Sequence, residues 1–186
     1  DIKATHVTLK HVFISEPLMV FRLLTAIGFL LCVQPAFAHE FWISPERYQI
    51  ARGAEAVAHL RVGEAFKGPA FSYIERQTTR FDLVQGDMVT PVIARAGDNP
   101  AVDMALEAAG LWIVVHETGD STLTYRDREK FEAFVVHKAF PGVLVDHAAR
   151  GLPETGFKES YRRFAKALIA VGDGAGQDRP VGLRTE

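Results

Sequence analysis

The sequence predicts an α+β fold in which a β-rich, sandwich-like part comes first and two to three helices follow. Short runs of alternating apolar and polar residues dominate the chain from residue 55 to residue 125, and this alternation is typical of half-buried strands. Apolar residues spaced three and four apart dominate afterwards, and this spacing is typical of amphipathic helices. Because the strands precede the helices and do not alternate with them, an α+β arrangement is favoured over βαβ units.

An export signal is predicted ahead of this domain. After Met19 come a single basic residue, Arg22, an apolar run at 23–33 and the small-x-small site that ends at Ala38. This order is typical of a secretory signal peptide, and the run is shorter than the roughly 20 apolar residues that a membrane-spanning helix needs. We therefore expect residues 19–38 to be removed, which makes His39 the first residue of a periplasmic mature chain.

Residues 1–18 contain no convincing element and are interpreted as a non-native upstream segment, whereas residues 39–186 suit a single domain of ordinary length. The first 38 residues hold three of the 21 basic and two of the 23 acidic residues, so the mature chain carries a net charge of −3 with neutral histidines. No half of the chain is strongly basic, so the sequence predicts no nucleic-acid partner. The single cysteine, Cys32, lies inside the signal, which excludes disulfides and thiolate metal sites from the mature chain.

Strands are predicted at 55–62, 80–84, 88–94, 110–117 and 123–125, after an aromatic, extended segment at 39–48. The run GLWIVVHE at 110–117 is apolar on both faces, which is typical of a central strand covered on both sides. A further strand is expected to begin at Val181.

Three helices are predicted, at 126–138, at 141–151 and at 157–171. The third has an apolar face formed by Tyr161, Phe164, Ala165, Leu168 and Ile169. Its opposite face is basic and is interpreted as solvated: Arg162, Arg163 and Lys166.

His39 is the first candidate metal ligand. An N-terminal histidine offers two neutral nitrogens, the α-amine and the imidazole, which close a six-membered chelate ring on a metal ion. Such ligands suit cobalt, nickel, copper and zinc. The third mature residue is Phe41 and not histidine, so other ligands must come from elsewhere in the fold. The alternative is that His39 is there by chance and that the aromatic residues after it only dock the terminus.

His116 and His137 are the next candidates. The alternative for His116, which lies on an apolar strand face, is a structural role as a core histidine whose ring nitrogens are hydrogen-bonded within the protein. For His137, near the end of a helix, the alternative is a favourable interaction with the helix dipole. His59 and His147 are weaker candidates. Glu40 and Glu117 are noted only because each adjoins a histidine.

No catalytic motif is visible. The sequence lacks G-x-S-x-G, H-E-x-x-H, a phosphate-binding loop and a dinucleotide fingerprint. We therefore expect a protein that is not an enzyme.

Several segments resemble a known bacterial family: AHEFWI at the end of the signal, RVGEAFKG, RFDLVQGD, GLWIVVHET and SYRRFAKALIAVGDGAG. The family consists of periplasmic proteins with a domain of unknown function, described as the periplasmic component of cobalt/nickel uptake (the nickel uptake transporter family). The resemblance covers residues 39–186. It implies that the chain is truncated where an immunoglobulin- or transthyretin-like β-domain would begin.

The expected function is therefore divalent-metal binding associated with metal uptake. Ni²⁺ or Co²⁺ would be bound by His39, His116 and His137, and the partners would be the ion and a membrane metal transporter. The mature chain itself is expected not to span the membrane. The rival interpretation is an extracytoplasmic β-rich binding or adhesion module that binds no metal.

Overall fold

The computed structural model describes residues 39–183, which form eleven strands and two helices. The predicted signal peptide, residues 1–18 and residues 184–186 lie outside the described residues. The strands are β1 (Glu40–Pro45), β2 (Gln49–Ile50), β3 (Glu55–Gly63), β4 (Ala70–Phe71), β5 (Thr78–Gln85), β6 (Met88–Pro91), β7 (Val102–Ala105), β8 (Gly110–Thr118), β9 (Ser121–Tyr125), β10 (Phe157–Tyr161) and β11 (Phe164–Val171). The helices are α1 (Arg128–His137) and α2 (Val143–Ala149), and a 3-10 turn covers Glu75–Gln77.

Two open sheets form the body of the domain. The first has the order β1-β3-β4, and β7 also pairs with β3. The second has five strands in the order β2-β11-β8-β5-β6. All strand pairs are antiparallel except β2 with β11, and β9 pairs with β10 in a separate two-stranded sheet. The predicted α+β class, with a sandwich-like β part, is confirmed.

The main core lies between the two sheets, and β8 contributes to it as predicted. Trp112 and Val114 face the core that β3 completes with Ala58 and Leu60. On the opposite face of β8, Ile113 and its neighbours belong to a second cluster. Since Val114 is fully buried and Ile113 is 3 % exposed, β8 is covered on both sides, as a strand with two apolar faces must be.

The prediction of a helix at 157–171 is wrong. This segment forms β10 and β11, and β11 pairs with β8 along its whole length, from Phe164 opposite Glu117 to Val171 opposite Gly110. Burial alternates along β11 residue by residue, as it does in a strand with one face on a core. The apolar residues of this segment also fit a spacing of three and four, so the pattern alone does not distinguish a helix from a strand. Pairing with the buried β8 decides for the strand.

The three basic residues of this segment consequently do not form a helix face. Arg162 lies in the turn before β11, with its Nε 2.5 Å from Asp120 and its Nη1 3.5 Å from Glu117. The Lys166 ammonium is 3.1 Å from the Asp178 carboxylate. These are ion pairs of the domain surface.

The other two predicted helices are confirmed. The Asp127 side chain accepts a hydrogen bond from the Glu129 backbone N–H at the start of α1, which stabilises a helix N-terminus. Phe131 and Val135 of α1 are buried with Tyr125 of β9 in a third cluster. Of the strand expected from Val181 onwards, the described residues 181–183 show none. No helix within residues 39–183 is long and apolar enough to cross a membrane.

Candidate functional site

His39, Glu64 and His137 lie at one end of the first sheet, and we call this group the rim. The β1–β3 ladder ends where Glu40 lies opposite Gly63. Continued by one residue, the register sets His39 opposite Glu64. The end of α1 lies close to Glu64, since His137 Nε2 is 3.7 Å from Glu64 Oε1. One of the three predicted ligands, His137, thus lies close to the Glu64 carboxylate, and His39 directly precedes the first residue of the β1–β3 ladder.

Glu64 begins a strained turn. The backbone N–H of Glu64 donates to the Lys67 carbonyl (3.0 Å), and the N–H of Lys67 donates back to the Glu64 carbonyl (2.8 Å). Between them Ala65 and Phe66 have φ angles of 48° and 57°. A two-residue turn of this kind needs positive φ at both central residues and strongly prefers Asn-Gly. Each residue other than glycine or asparagine that is held at such a positive φ costs about 1–3 kcal/mol. Residues strained in this way cluster at functional sites.

Neighbouring residues hold this turn in place. A Cβ atom on Gly63 would collide with the Lys67 carbonyl oxygen, and one on Gly68 would collide with that of Val62. The Glu40 carboxylate accepts a hydrogen bond from the Phe66 backbone N–H at 3.3 Å. The exposed ring of Phe66 packs edge-on against Trp42, with ring centroids 5.7 Å apart. The motifs AHEFW and RVGEAFKG therefore meet in space, and together they fix the position of Glu64.

The rim is accessible but does not form a complete metal centre as it stands. The Glu64 and His137 side chains are both 38 % exposed, and His39 is exposed. Within residues 39–183, no three His, Cys, Asp or Glu side chains are grouped closely enough to hold a metal ion. His39 lies outside the β1–β3 ladder, so its side chain and backbone nitrogen are not fixed by strand pairing.

His116, the third predicted ligand, lies in the interior and not at the rim. Its ring is 3 % exposed and packs between Phe41 and Phe81, with centroid distances of 5.1 and 5.0 Å. Its Nε2 is 3.1 Å from the Thr78 hydroxyl. Burial lowers the pKa of His116 from its ordinary value to about 4, because the protonated ring would lose its hydration.

The other two histidines of residues 39–183, His59 and His147, are engaged in structural contacts. His59 has Asn99 Oδ1 at 2.9 Å from Nδ1 and Glu46 Oε1 at 3.1 Å from Nε2. His147 is buried, and its Nε2 donates to the Pro153 carbonyl at 2.9 Å. Both arrangements use ring nitrogens that a metal would need.

Glu64 is the residue that sequence reasoning missed. It lies 73 positions before His137 and outside every strand and helix that the sequence predicts. The only local signal was the pair of glycines at 63 and 68, which in the structure face each other across the turn with no room for a Cβ atom on either.

Residues 36–186 match the family described as a domain of unknown function, DUF4198. The chain belongs to the DUF4198 family. This match spans most of the chain and confirms the resemblance as far as a domain of unknown function. Neither the comparison with curated proteins nor that with solved structures found a match. The nickel and cobalt connection of this DUF4198 chain therefore stays a prediction.

Proposed function

We propose that this DUF4198 protein binds Ni²⁺ or Co²⁺ in the periplasm, at the rim of His39, Glu64 and His137, and serves metal uptake through a membrane transporter. No catalytic step is proposed. The periplasmic location rests on the signal pattern that ends at Ala38.

One observation carries the proposal: a strained turn holds the Glu64 carboxylate 3.7 Å from His137, directly beyond the pair that aligns β1 with β3. Turns of this type strongly prefer Asn-Gly at their centre, and this turn instead keeps Ala65-Phe66 at positive φ. Backbone strain that the surrounding structure maintains is a recurring property of binding sites. His39 lies beside this turn because Glu40, the next residue, holds the turn's Phe66 N–H.

Processing would complete the donor set. While Ala38 precedes His39, the backbone nitrogen of His39 is an amide and a poor ligand. After cleavage the same nitrogen is an amine, and His39 supplies two donors from one residue. With Glu64 and His137 the rim then offers three nitrogens and a carboxylate oxygen, a set that suits late first-row divalent metals better than magnesium or calcium.

Calorimetric titration with Ni²⁺ and with Co²⁺ tests the proposal on protein that begins at His39. Four variants are compared with it: one with Ala38 retained, His39→Ala, Glu64→Gln and His137→Gln. Each should weaken binding about tenfold or more, since each removes one donor. Glu75→Gln, an exposed glutamate of the 3-10 turn, is the matched control and should bind as the parent does.

Binding should also weaken between pH 7.5 and pH 5.5, because metal-bound nitrogens must be deprotonated. If the protein with Ala38 retained and the protein that begins at His39 bind equally well, the N-terminal site is refuted. If neither binds Ni²⁺ or Co²⁺ above the heat measured for titration of the metal into buffer alone, the metal function is refuted and the adhesion interpretation is favoured.

A further inference from the structure

An open cleft of about 570 Å³ lies between strands β1 and β11, and both strands contribute side chains to its lining. Three aromatic side chains line it as well: Trp42, Tyr48 and Phe66. We call it the aromatic cleft. Small-molecule sites are typically clefts of this size, lined by apolar and aromatic side chains with a few polar groups.

The aromatic side chains present accessible ring surface. Phe66 is 76 % exposed and Tyr48 is 63 % exposed. The ring planes of Trp42 and Phe66 meet at 78°, so the two rings form a corner. Tyr48 borders the cleft from the turn between β1 and β2, where its backbone carbonyl accepts a hydrogen bond from the Ala170 N–H at 2.8 Å. Several ring faces in one site are suited to a cation, and above all to a quaternary ammonium group.

Two opposite charges complete the lining of the aromatic cleft. The Lys166 ammonium is 3.1 Å from the Asp178 carboxylate, and it donates to the Arg179 carbonyl at 3.2 Å. Asp178 is exposed and Lys166 is partly exposed, so a ligand in the cleft can reach both groups. Because the lining holds one charge of each sign, a ligand that also carries one of each meets an opposite partner for both.

We propose that the aromatic cleft binds a small zwitterion with a quaternary ammonium and a carboxylate, a ligand of the trimethylglycine class. The trimethylammonium group would lie against the three aromatic rings, and the carboxylate would share the Lys166 ammonium with Asp178. A quaternary ammonium has no N–H to donate, so ring faces replace its water without leaving a hydrogen bond unmade. The site does not rest on the proposed metal function, since none of the rim residues lines the cleft.

Calorimetric titration of metal-free protein at pH 7.5 with trimethylglycine, tert-butylacetate and choline tests the proposal. Tert-butylacetate keeps the shape and the carboxylate of trimethylglycine, but a neutral carbon replaces the charged nitrogen. Choline keeps the charged nitrogen, but a hydroxyl group replaces the carboxylate. We expect each of these two probes to bind about tenfold more weakly than trimethylglycine, because the first loses the attraction of the ring faces and the second loses the ion pair.

Two substitutions assign the two halves of the ligand. Tyr48→Leu should weaken trimethylglycine about threefold or more and leave tert-butylacetate nearly unchanged, because it removes one ring face. Phe140→Leu, at an exposed phenylalanine outside the cleft, is its matched control. Lys166→Gln should weaken trimethylglycine and tert-butylacetate about tenfold and leave choline nearly unchanged. Lys158→Gln, at an exposed lysine of β10, is the control for this second variant.

Equal binding of trimethylglycine and tert-butylacetate to the parent would overturn the role of the ring faces, because shape alone would then be recognised. Unchanged binding of trimethylglycine in Lys166→Gln would overturn the role of the lysine. If trimethylglycine gives no heat beyond its titration into buffer, the proposal as a whole is overturned. Since metal binding is measured separately on the rim variants, that outcome would leave the proposed metal function standing.

Discussion

His116 and His137 are both predicted metal ligands, yet the fold treats them in opposite ways. His116 is enclosed between two phenylalanine rings on the central strand β8. His137 ends α1, half-exposed, with the Glu64 carboxylate 3.7 Å away. The interior keeps an imidazole neutral by excluding water, whereas the rim presents one to solvent beside a negative charge.

This difference predicts that the interior determines stability and that the rim determines the proposed metal binding. Side chains between the sheets contribute buried apolar area, so changing them should alter the free energy of unfolding. Side chains of the rim contribute little buried area and some strain, so changing them should alter binding and leave stability nearly unchanged. Mutations and pH can test this division.

The largest effect is expected at Trp112 in the interior. Trp112 is 6 % exposed, and its Nε1–H donates to the Ala108 carbonyl at 2.9 Å. Trp112→Ala should lower the free energy of unfolding by about 3–5 kcal/mol, because it removes buried area and leaves a cavity. Urea denaturation measures this loss. Trp42→Ala, at the half-buried tryptophan beside the strained turn, is the matched control and should cost about 1–2 kcal/mol. A loss at Trp112 below about 1 kcal/mol would contradict its place in the core.

The interior was also the part that the sequence predicted best. The run at 110–117 has no polar residue before His116, so no amphipathic helix pattern competes with the central strand β8. In β11 Phe164, Ala165 and Leu168 fit a helix, while the run from Ala165 to Val171, whose only polar residue is Lys166, also fits a buried strand. Local pattern could not choose between them, because the choice depends on whether an unpaired edge of β8 is available.

The rim could be predicted from the sequence only in part. His39 and His137 were predicted as candidate ligands from their chemistry, since histidine is a recognisable ligand in any context. Glu64 was not found, because one glutamate among the acidic residues of a chain has no distinguishing local feature. What distinguishes it is a contact across 73 positions with the end of α1, together with positive φ angles at two residues that do not favour them.

The second prediction uses pH to separate the interior from the rim. The pKa of His116 is about 4 in the folded protein and near its ordinary value of 6.5 when unfolded. Between pH 6.5 and pH 4 the imidazole of residue 116 binds a proton in the unfolded chain but stays neutral in the folded protein. The contribution of His116 to the free energy of unfolding is therefore fully present above pH 6.5. It is lost as the pH falls from 6.5 to 4, by about 3 kcal/mol in all.

Urea denaturation at pH 7.5, 5.5 and 4.5 measures this loss, and His116→Phe is the comparison that isolates it. The variant keeps the ring contacts and every other titrating group, so its stability relative to the parent should rise as the pH falls. A constant difference between the two proteins across this pH range would show that His116 does not titrate as its burial requires.

The smallest effect is expected at the strained turn of the rim. Ala65 has a φ of 48°, a conformation that costs an L-residue roughly 1–2 kcal/mol and glycine almost nothing. Glycine loses about 0.5–1 kcal/mol of backbone freedom on folding, so Ala65→Gly should raise the free energy of unfolding by about 0.5–1 kcal/mol. Ala148→Gly makes the same exchange at an exposed position of α2, and it should instead lower stability by about 1 kcal/mol. Thermal unfolding of the two variants beside the parent distinguishes these signs. If both substitutions destabilise the protein to the same extent, the turn holds no strain and gives no support to a binding site at Glu64.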